Sequence, residues 1–160
     1  MQVQKMMTSN PACVTPEATA RDAARLMKER DCGCLPVVES HESMRLVGVV
    51  TDRDLALRAL GEGKGADTAV SQLMSRDPSC CSPDTDVREV ERIMSERQVR
   101  RVPVVDSAGR CAGIVAQADL ALSEGDAVSD REIARTVERI SEPADPTRHG
   151  ESRSATRAAR

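Results

Sequence analysis

The sequence contains no phenylalanine, tyrosine or tryptophan in 160 residues. Proteins that bind single-stranded nucleic acids stack bases on such rings, so this chain lacks their usual platform. The charge also argues against a nucleic-acid partner, because such binders normally carry a basic excess. This chain has 23 basic and 26 acidic residues and a net charge of -3. A nucleic-acid partner is therefore not expected, and any purine bound here would have to lie between aliphatic side chains.

Long hydrophobic runs are also missing. No segment reaches the roughly 18 consecutive apolar residues of a membrane span, and residues 1–11 lack the apolar core of a signal peptide. The sequence therefore predicts a soluble, cytoplasmic protein without membrane contact. Lysine occurs only at positions 5, 28 and 64, and this bias towards arginine and alanine is typical of a GC-rich bacterial genome.

Metal-binding and catalytic spacings are absent as well. The six cysteines do not form the two-residue-spaced pairs of zinc half-sites, and no histidine lies near them, so we expect small buried hydrophobic residues and no required metal. A redox role is the alternative. An enzyme is not expected, because His41 and His149 lie in a loop and in the tail and no serine or cysteine has a basic partner. The cysteines are Cys13, Cys32, Cys34, Cys80, Cys81 and Cys111.

What the chain does contain is an internal repeat. Residues 1–40 align with residues 68–107 without a gap. After a loop that is shorter in the second copy, residues 48–55 and 113–120 align as GVVTDRDL and GIVAQADL. A period of this size indicates a duplicated structural unit.

Each copy predicts the element order β-α-β-β-α. A brief strand stopped by a proline precedes a helix whose apolar residues recur at i, i+3, i+6 and i+7. Two β-rich runs and a closing helix follow. Strands are expected at 12–15, 35–38 and 46–50 with helices along 20–27 and from 51, and then at 79–82, 102–105 and 111–115 with helices along 87–94 and from 116.

One such unit leaves a sheet face uncovered. Two copies packed sheet to sheet around a pseudo-twofold axis would close the core and give an α+β fold, so neither half should fold well alone. We divide the chain into repeat 1 (1–63), repeat 2 (68–125), a C-terminal helix (126–140) and a tail (141–160) that is expected to be disordered.

The C-terminal helix has its own start signal. Ser129 and Glu132 form a capping-box pattern, and Ile133, Val137 and Ile140 lie on one face of the helix that follows. We expect this apolar face to pack on its own domain.

The join between strand and helix in GVVTDRDL is the candidate site. Thr51 and Asp54 have the spacing of a helix N-terminus that caps itself. The same groups suit a nucleotide, since a helix start attracts a phosphate and a carboxylate accepts hydrogen bonds from a ribose. Both interpretations remain open, and both can hold at once. In the second copy Ala116 replaces the threonine and only Asp119 remains.

A tandem β-α-β-β-α repeat with LPVV or VPVV followed by GVVTDRDL resembles the cystathionine β-synthase (CBS) domain family, and the pair resembles a Bateman module. The resemblance covers residues 1–125. It implies regulatory modules that bind AMP, ADP, ATP or S-adenosylmethionine in clefts between the repeats, commonly as disk-shaped dimers. It does not imply catalysis.

The resemblance also suggests roles for single residues. Thr51 resembles the family's phosphate-contacting hydroxyl and Asp54 its ribose-binding carboxylate, with Arg53, Arg100 and Arg101 as candidate phosphate partners. The segments that resemble those around the base contain Thr15, Leu35, Pro36 and Val37. A weaker second cleft would contain Ser82, Val102, Pro103, Val104 and Asp119.

The sequence thus predicts a stand-alone regulatory module that binds an adenosine-type nucleotide, forms a homodimer and signals to a partner protein of unknown identity. The alternative is a structural or stress-related dimeric interaction protein whose clefts are degenerate and empty. The missing hydroxyl at Ala116 favours that alternative.

Overall fold

A computed structural model describes residues 1–122 and 129–143. The predicted tail beyond residue 143 and the proposed helix start at 126–128 lie outside these described residues. The strands are β1 Thr8–Ser9, β2 Cys34–Val38, β3 Leu46–Thr51, β4 Ser75–Arg76, β5 Arg101–Val105 and β6 Cys111–Ala116. The α-helices are α1 Ala20–Glu29, α2 Asp52–Asp54, α3 Val87–Arg97, α4 Gln117–Leu122 and α5 Asp130–Ser141; a π-helix spans Leu55–Leu60, and 3-10 helices span Val3–Lys5 and Val70–Gln72.

The strands form two antiparallel sheets of three strands each, in the orders β2-β3-β4 and β1-β6-β5. The predicted α+β fold with two packed repeats is confirmed. Each sheet takes its two-residue edge strand from the other repeat, because β1 pairs with β6 and β4 pairs with β3. The two repeats are therefore interlocked through their backbones.

The prediction of a first strand at 12–15 and at 79–82 was wrong. Only a single parallel bridge forms in each place, between Val14 and Val37 and between Cys81 and Val104. The edge strands lie earlier, before Pro11 and Pro78.

Two glycines allow the edge strands to cross. A Cβ atom on Gly48 would lie 2.7 Å from the carbonyl oxygen of Ser75, and one on Gly113 would lie 2.5 Å from the sulfur of Met7. Both distances are shorter than any non-bonded carbon contact can be. At Gly48 the clash is with backbone, which cannot move aside, so this glycine is required by the strand exchange; at Gly113 the clash is with the flexible Met7 side chain.

Each hydrophobic core contains residues of both sequence repeats, as the strand exchange requires. Val70, Leu73 and Met74 pack in the core of repeat 1, and Val3 packs in the core of repeat 2. The packing units thus differ from the sequence repeats 1–63 and 68–125. A third cluster contains buried residues of both repeats, Cys13, Val38 and Cys111.

The helices bury the stripes that their spacing predicts. Ala20, Ala23 and Met27 are buried in α1, and Val87, Val90 and Met94 occupy the same positions in α3. Because these residues are i, i+3 and i+7, one face of each helix covers its sheet and the charged residues remain outside.

Helix α5 packs against α3 and α4 of repeat 2. Its capping box forms at Ser129. The predicted apolar face was wrong at Val137, which is 38% exposed, whereas Thr136 is 2% exposed. The buried face contains Ile140 and Thr136. Thr136 can be buried because its hydroxyl donates a hydrogen bond to the Glu91 carboxylate of α3 at 2.6 Å.

None of the helices in the described part of the chain is long and apolar enough to cross a membrane. Within residues 1–122 and 129–143, no three histidine, cysteine, aspartate or glutamate side chains are grouped so that they could hold a metal ion.

The cysteines differ in burial. Four are buried as the sequence predicts, Cys80 is exposed and Cys32 is half-buried, so the expectation was wrong for Cys80. Burial raises the pKa of Cys34 to about 12 and the pKa of Cys81 to about 11. These two thiols stay protonated at neutral pH.

The strand exchange predicts the effect of a single methyl group. Gly48→Ala should lower the free energy of unfolding by about 2 kcal/mol, because the new Cβ collides with the Ser75 carbonyl. Gly65→Ala is the matched control, since its Cβ would meet no atom within 4 Å, and its change should stay within about 0.5 kcal/mol. Urea unfolding measures both. Equal midpoints for the two variants would contradict the proposed role of Gly48.

The cysteine burial predicts how the native thiols react. With an aromatic disulfide reagent at pH 8, Cys80 should react fastest, because it is exposed while Cys34 and Cys81 are buried and protonated. Absorbance of the released thiolate gives the rates. Cys80→Ser should remove the fastest phase and Cys34→Ser should leave it unchanged; the reverse pattern would contradict the prediction.

Candidate functional site

The end of β3 is the centre of the candidate site. Thr51 ends the strand opposite Cys34 of β2, and Asp54 follows in α2. Val14 bridges to Val37, near the other end of β2. The structure therefore brings Thr51 and Asp54 together and places Thr15, which follows Val14, farther along the sheet.

Thr51 and Asp54 form a closed capping box. The Thr51 backbone N–H donates to Asp54 Oδ2 at 2.9 Å, and the Thr51 hydroxyl donates to the same oxygen at 2.8 Å. The Asp54 backbone N–H donates to Thr51 Oγ1 at 3.1 Å. The capping interpretation of the octet is confirmed, and the carboxylate has a fixed orientation.

Arg58 is a site residue that the sequence analysis missed. Its Nε atom lies 3.4 Å from Asp54 Oδ1. Its Nη1 donates to the carbonyl oxygens of Leu73 at 2.8 Å and Met74 at 3.1 Å. Arg58 thus joins the site carboxylate to the exchanged segment that leads into β4. The i,i+4 spacing from Asp54 was the available signal.

Gly33 and Asp52 were also missed. The Asp52 backbone N–H donates to the Gly33 carbonyl at 3.1 Å, and a Cβ on Gly33 would lie 2.7 Å from Asp52 Oδ2. The Asp52 carboxylate therefore lies directly against the backbone where β2 begins. In the second copy, Arg100 stands at the position of Gly33. This difference between the copies was the sequence feature that could have pointed to Gly33.

A cation from repeat 2 acts at this end of the sheet. The raised pKa of Cys34 comes first from burial; the charge of Arg101 lowers it, and the charges of Asp54 and Asp52 raise it. The pKa of this buried thiol therefore depends on the charge of an arginine in repeat 2 and on the charges of two carboxylates in repeat 1. The side chain of Arg101 is half-buried.

The strand residues expected around the base are buried. Leu35 and Val37 are fully buried in the core of repeat 1, and Val102 and Val104 are fully buried in the core of repeat 2. Because side chains alternate across a strand, the opposite face presents Pro36 in β2 and Pro103 in β5. Pro36 and Pro103 are buried as well.

The second cleft retains part of the arrangement. The Ala116 backbone N–H donates to Asp119 Oδ2 at 2.7 Å, as Thr51 does in repeat 1, but no hydroxyl is present. Ser82 is exposed, and its hydroxyl donates to Asp84 Oδ1 at 2.5 Å. The Ser82 hydroxyl therefore forms its hydrogen bond within the turn that contains it.

Two of the three predicted arginines lie on the surface. The side chains of Arg53 and Arg100 are exposed, and the Arg53 backbone N–H donates to Asp52 Oδ1 at 2.7 Å. Only Arg101 is half-buried, and its charge lowers the pKa of the Cys34 thiol.

A cavity of about 580 Å³ lies apart from the capping box, between α1 and the π-helix. We call it the repeat-1 groove. It includes Asp52 but neither Thr51 nor Asp54. Small and apolar residues form most of its wall, among them Ala20, Ala24, Met27, Ala56, Ala59 and Ala66.

Several relatives share this architecture. The chain is 38% identical over 122 residues to the CBS domain-containing protein YhcV of Bacillus subtilis, an alignment that covers 76% of this chain and 84% of YhcV. Hypoxic Response Protein I with two coordinated zinc ions is similar in structure, with a TM-score of 0.69 at 33% identity over 76% of this chain and 97% of that one.

Two further similar structures contain nucleosides. The CBS domain pair of MJ0100 in complex with 5-methylthioadenosine and S-adenosyl-L-methionine has a TM-score of 0.69 at 27% identity, over 76% of this chain and 93% of that one. CBSX2 in complex with AMP has a TM-score of 0.66 at 31% identity, over 75% of this chain and 93% of that one.

The family model of the CBS domain matches twice, at residues 3–61 and 70–123, which are the two copies that the internal repeat separates. Pairs of this kind are typically regulatory and bind small nucleotide ligands. The predicted resemblance is thereby confirmed, and the chain belongs to the CBS domain family, of which it contains a tandem pair.

Proposed function

We propose that this CBS pair is a regulatory module that binds an adenosine-type nucleotide at the Thr51 and Asp54 end of repeat 1 and transmits the bound state to a partner protein. AMP, ADP, ATP and S-adenosylmethionine are the candidate ligands. The complexes of MJ0100 with S-adenosyl-L-methionine and of CBSX2 with AMP support this ligand class.

The observation that carries the proposal is the orientation of the Asp54 carboxylate. The carboxylate is 15% exposed, accepts two hydrogen bonds on Oδ2 and faces one arginine on Oδ1. A carboxylate has about four acceptor positions, so at least one remains for a ribose hydroxyl. Because capping already fixes the side chain, binding costs little additional rotamer entropy.

Arg101 supplies the complementary charge. A cation binds a nucleotide phosphate strongly, and the charges of Arg101, Asp54 and Asp52 all act on the pKa of the same Cys34 thiol. Since Arg101 belongs to repeat 2 and Asp54 to repeat 1, a ligand that contacts both would stabilise one relative arrangement of the repeats. This is the physical basis on which ligand binding would be communicated.

We further propose a homodimer that acts in the cytoplasm without catalysis. CBS pairs often dimerise. The cysteines are free thiols, four of them buried, as is usual in a reducing compartment. His41 lies exposed in a loop.

The site predicts unequal roles for the two repeated aspartates. Asp54→Asn should weaken binding of AMP, ATP or S-adenosylmethionine at least about tenfold, because a charged acceptor of the ribose is lost. Asp119→Asn is the matched control and should change the dissociation constant less than about twofold. Isothermal titration calorimetry measures both. Equal effects would show that the clefts have been ranked wrongly.

The same titrations test the function itself. A folded wild-type protein that releases no heat with any of the three ligands would contradict nucleotide binding. It would favour the alternative, a structural or stress-related dimeric interaction protein. The closed hydrogen bonds between Thr51 and Asp54 are the observation that favours this alternative, because they give both side chains a role in capping α2 without a ligand.

The capping box predicts a pair of opposite stability changes. Thr51→Ala should lower the free energy of unfolding by about 1 kcal/mol, because the Asp54 N–H loses its acceptor. Ala116→Thr should raise it by about 0.5–1 kcal/mol by giving α4 the cap that it lacks. Urea unfolding at neutral pH measures both, with Thr51→Ser as the variant that keeps the hydroxyl. A loss on Ala116→Thr would show that repeat 2 cannot accept the cap.

A further inference from the structure

Two cysteines from different repeats pack against each other. Cys13 belongs to repeat 1, and Cys111 begins β6 of repeat 2. Both lie in the third hydrophobic cluster together with Val38. The exposed fraction is 9% for Cys13 and 6% for Cys111. The fold thus brings two thiols from distant parts of the chain into one buried contact, and the proposed nucleotide site uses neither of them.

The backbone around Cys111 is held by repeat 1 on two sides. The Cys111 N–H donates to the carbonyl oxygen of Met44 at 2.8 Å, and the Asn10 N–H donates to the carbonyl oxygen of Ala112 at 3.1 Å. Two separate segments of repeat 1 therefore fix the start of β6. The position of Cys111 relative to repeat 1 is set by backbone hydrogen bonds and not only by side-chain packing.

The backbone next to Cys13 is fixed as well. The Val14 N–H donates to the carbonyl oxygen of Pro36 at 3.1 Å, and the Val38 N–H donates to the carbonyl oxygen of Val14 at 2.9 Å. The Cys13 thiol itself lies 3.2 Å from the carbonyl oxygen of Pro11. Contact between two side chains on fixed backbones keeps those backbones near the short separation that a disulfide requires.

The two thiols also differ in acidity. The hydrogen bond between them lowers the pKa of Cys111. The same hydrogen bond, together with burial, raises the pKa of Cys13. The thiolate is the reactive form of cysteine, so Cys111 is suited to react first with an oxidant and Cys13 to attack the product.

The thiol pair occurs only once in the repeat. The internal alignment matches Cys13 with Cys80, but it matches Cys111 with Leu46. The duplicated position therefore lacks the second thiol. The pair is a feature of this one contact between the repeats and not a product of the duplication.

We propose that Cys13 and Cys111 form a reversible disulfide that locks the two repeats together in the presence of hydrogen peroxide. The Cys111 thiolate attacks one oxygen of the peroxide, the O–O bond breaks and hydroxide leaves, which gives a sulfenic acid on Cys111. The Cys13 sulfur then attacks the Cys111 sulfur and loses its proton while the S–O bond breaks and water leaves. In total, two thiols are oxidised to one disulfide and the peroxide is reduced to two molecules of water.

The disulfide joins the repeats covalently at a place where hydrogen bonds already hold them. A cross-link between residues that are far apart in the chain removes much of the freedom of the unfolded state. Oxidation therefore makes the strand-exchanged pair more resistant to unfolding, and a thiol reductant reverses the effect. This lock is independent of the proposed nucleotide binding and of the proposed homodimer.

Peptide mapping of the oxidised full chain tests this inference. The folded protein is treated with hydrogen peroxide, alkylated in denaturant and digested with trypsin, which leaves Cys13 in residues 6–21 and Cys111 in residues 111–131 without any other cysteine. Mass spectrometry should find these two peptides linked, and a reductant should separate them. The same oxidation in urea should lower the yield of this link at least about tenfold, because the fold no longer holds the thiols together.

Thermal unfolding measures the lock. Oxidation should raise the Tm of the wild type by at least about 5 °C. Cys13→Ala should lose the linked peptides and the rise in Tm, and under the same peroxide treatment it also controls for methionine oxidation. Cys80→Ser, which removes the exposed thiol, should keep both. Circular dichroism checks that the variants fold, and Cys111→Ala replaces Cys13→Ala if that variant does not.

The mapping of the wild type decides the proposal even without the variants. Oxidised protein in which the peptides 6–21 and 111–131 are not linked, because the thiols stay free, reach sulfinic acid or pair elsewhere, would overturn the disulfide. A link that forms but leaves the Tm of the wild type unchanged would overturn the lock. Calorimetry with AMP on the reduced protein measures nucleotide binding separately, so failure of one proposal is distinguishable from failure of the other.

Discussion

The exchange of edge strands between the repeats is the constraint on which the rest of the structure depends. β1 crosses onto the sheet of repeat 2 over Gly113, and β4 crosses onto the sheet of repeat 1 over Gly48. The crossing strands bring apolar residues with them, so each core contains residues of both sequence repeats. Neither repeat can therefore complete its sheet or its core alone, and the pair is expected to unfold as one cooperative unit.

The candidate site is connected to this exchange. Asp54 contacts Arg58, and Arg58 holds the carbonyl oxygens of Leu73 and Met74 at the start of the exchanged segment. On the other side of the seam, Arg101 begins β5 of repeat 2. A ligand held between Asp54 and Arg101 would thus act on groups that already determine how the repeats fit together.

Duplication has been followed by divergence in both site and surface. The cap hydroxyl at Thr51 has no counterpart at Ala116, and Arg100 stands where repeat 1 has Gly33. The outer face of repeat 2 is covered by α5, while the same face of repeat 1 is open. Of the two strand-to-helix joins at Thr51 and Ala116, only the one in repeat 1 therefore has a complete capping box.

The sequence by itself determined the repeat, the order of the main elements and the capping box, because these depend on periodicity and on groups only three or four residues apart. The bounds of β2, β3, β5 and β6 lie within one residue of the predicted ones. The tertiary structure decided which repeat each edge strand joins, that Leu35 and Val37 face the core, that Thr136 replaces Val137 on the buried face of α5, and that Arg58 reaches Leu73. These features depend on contacts between distant segments, and a residue's local neighbours cannot specify which face of a strand or helix another segment will cover.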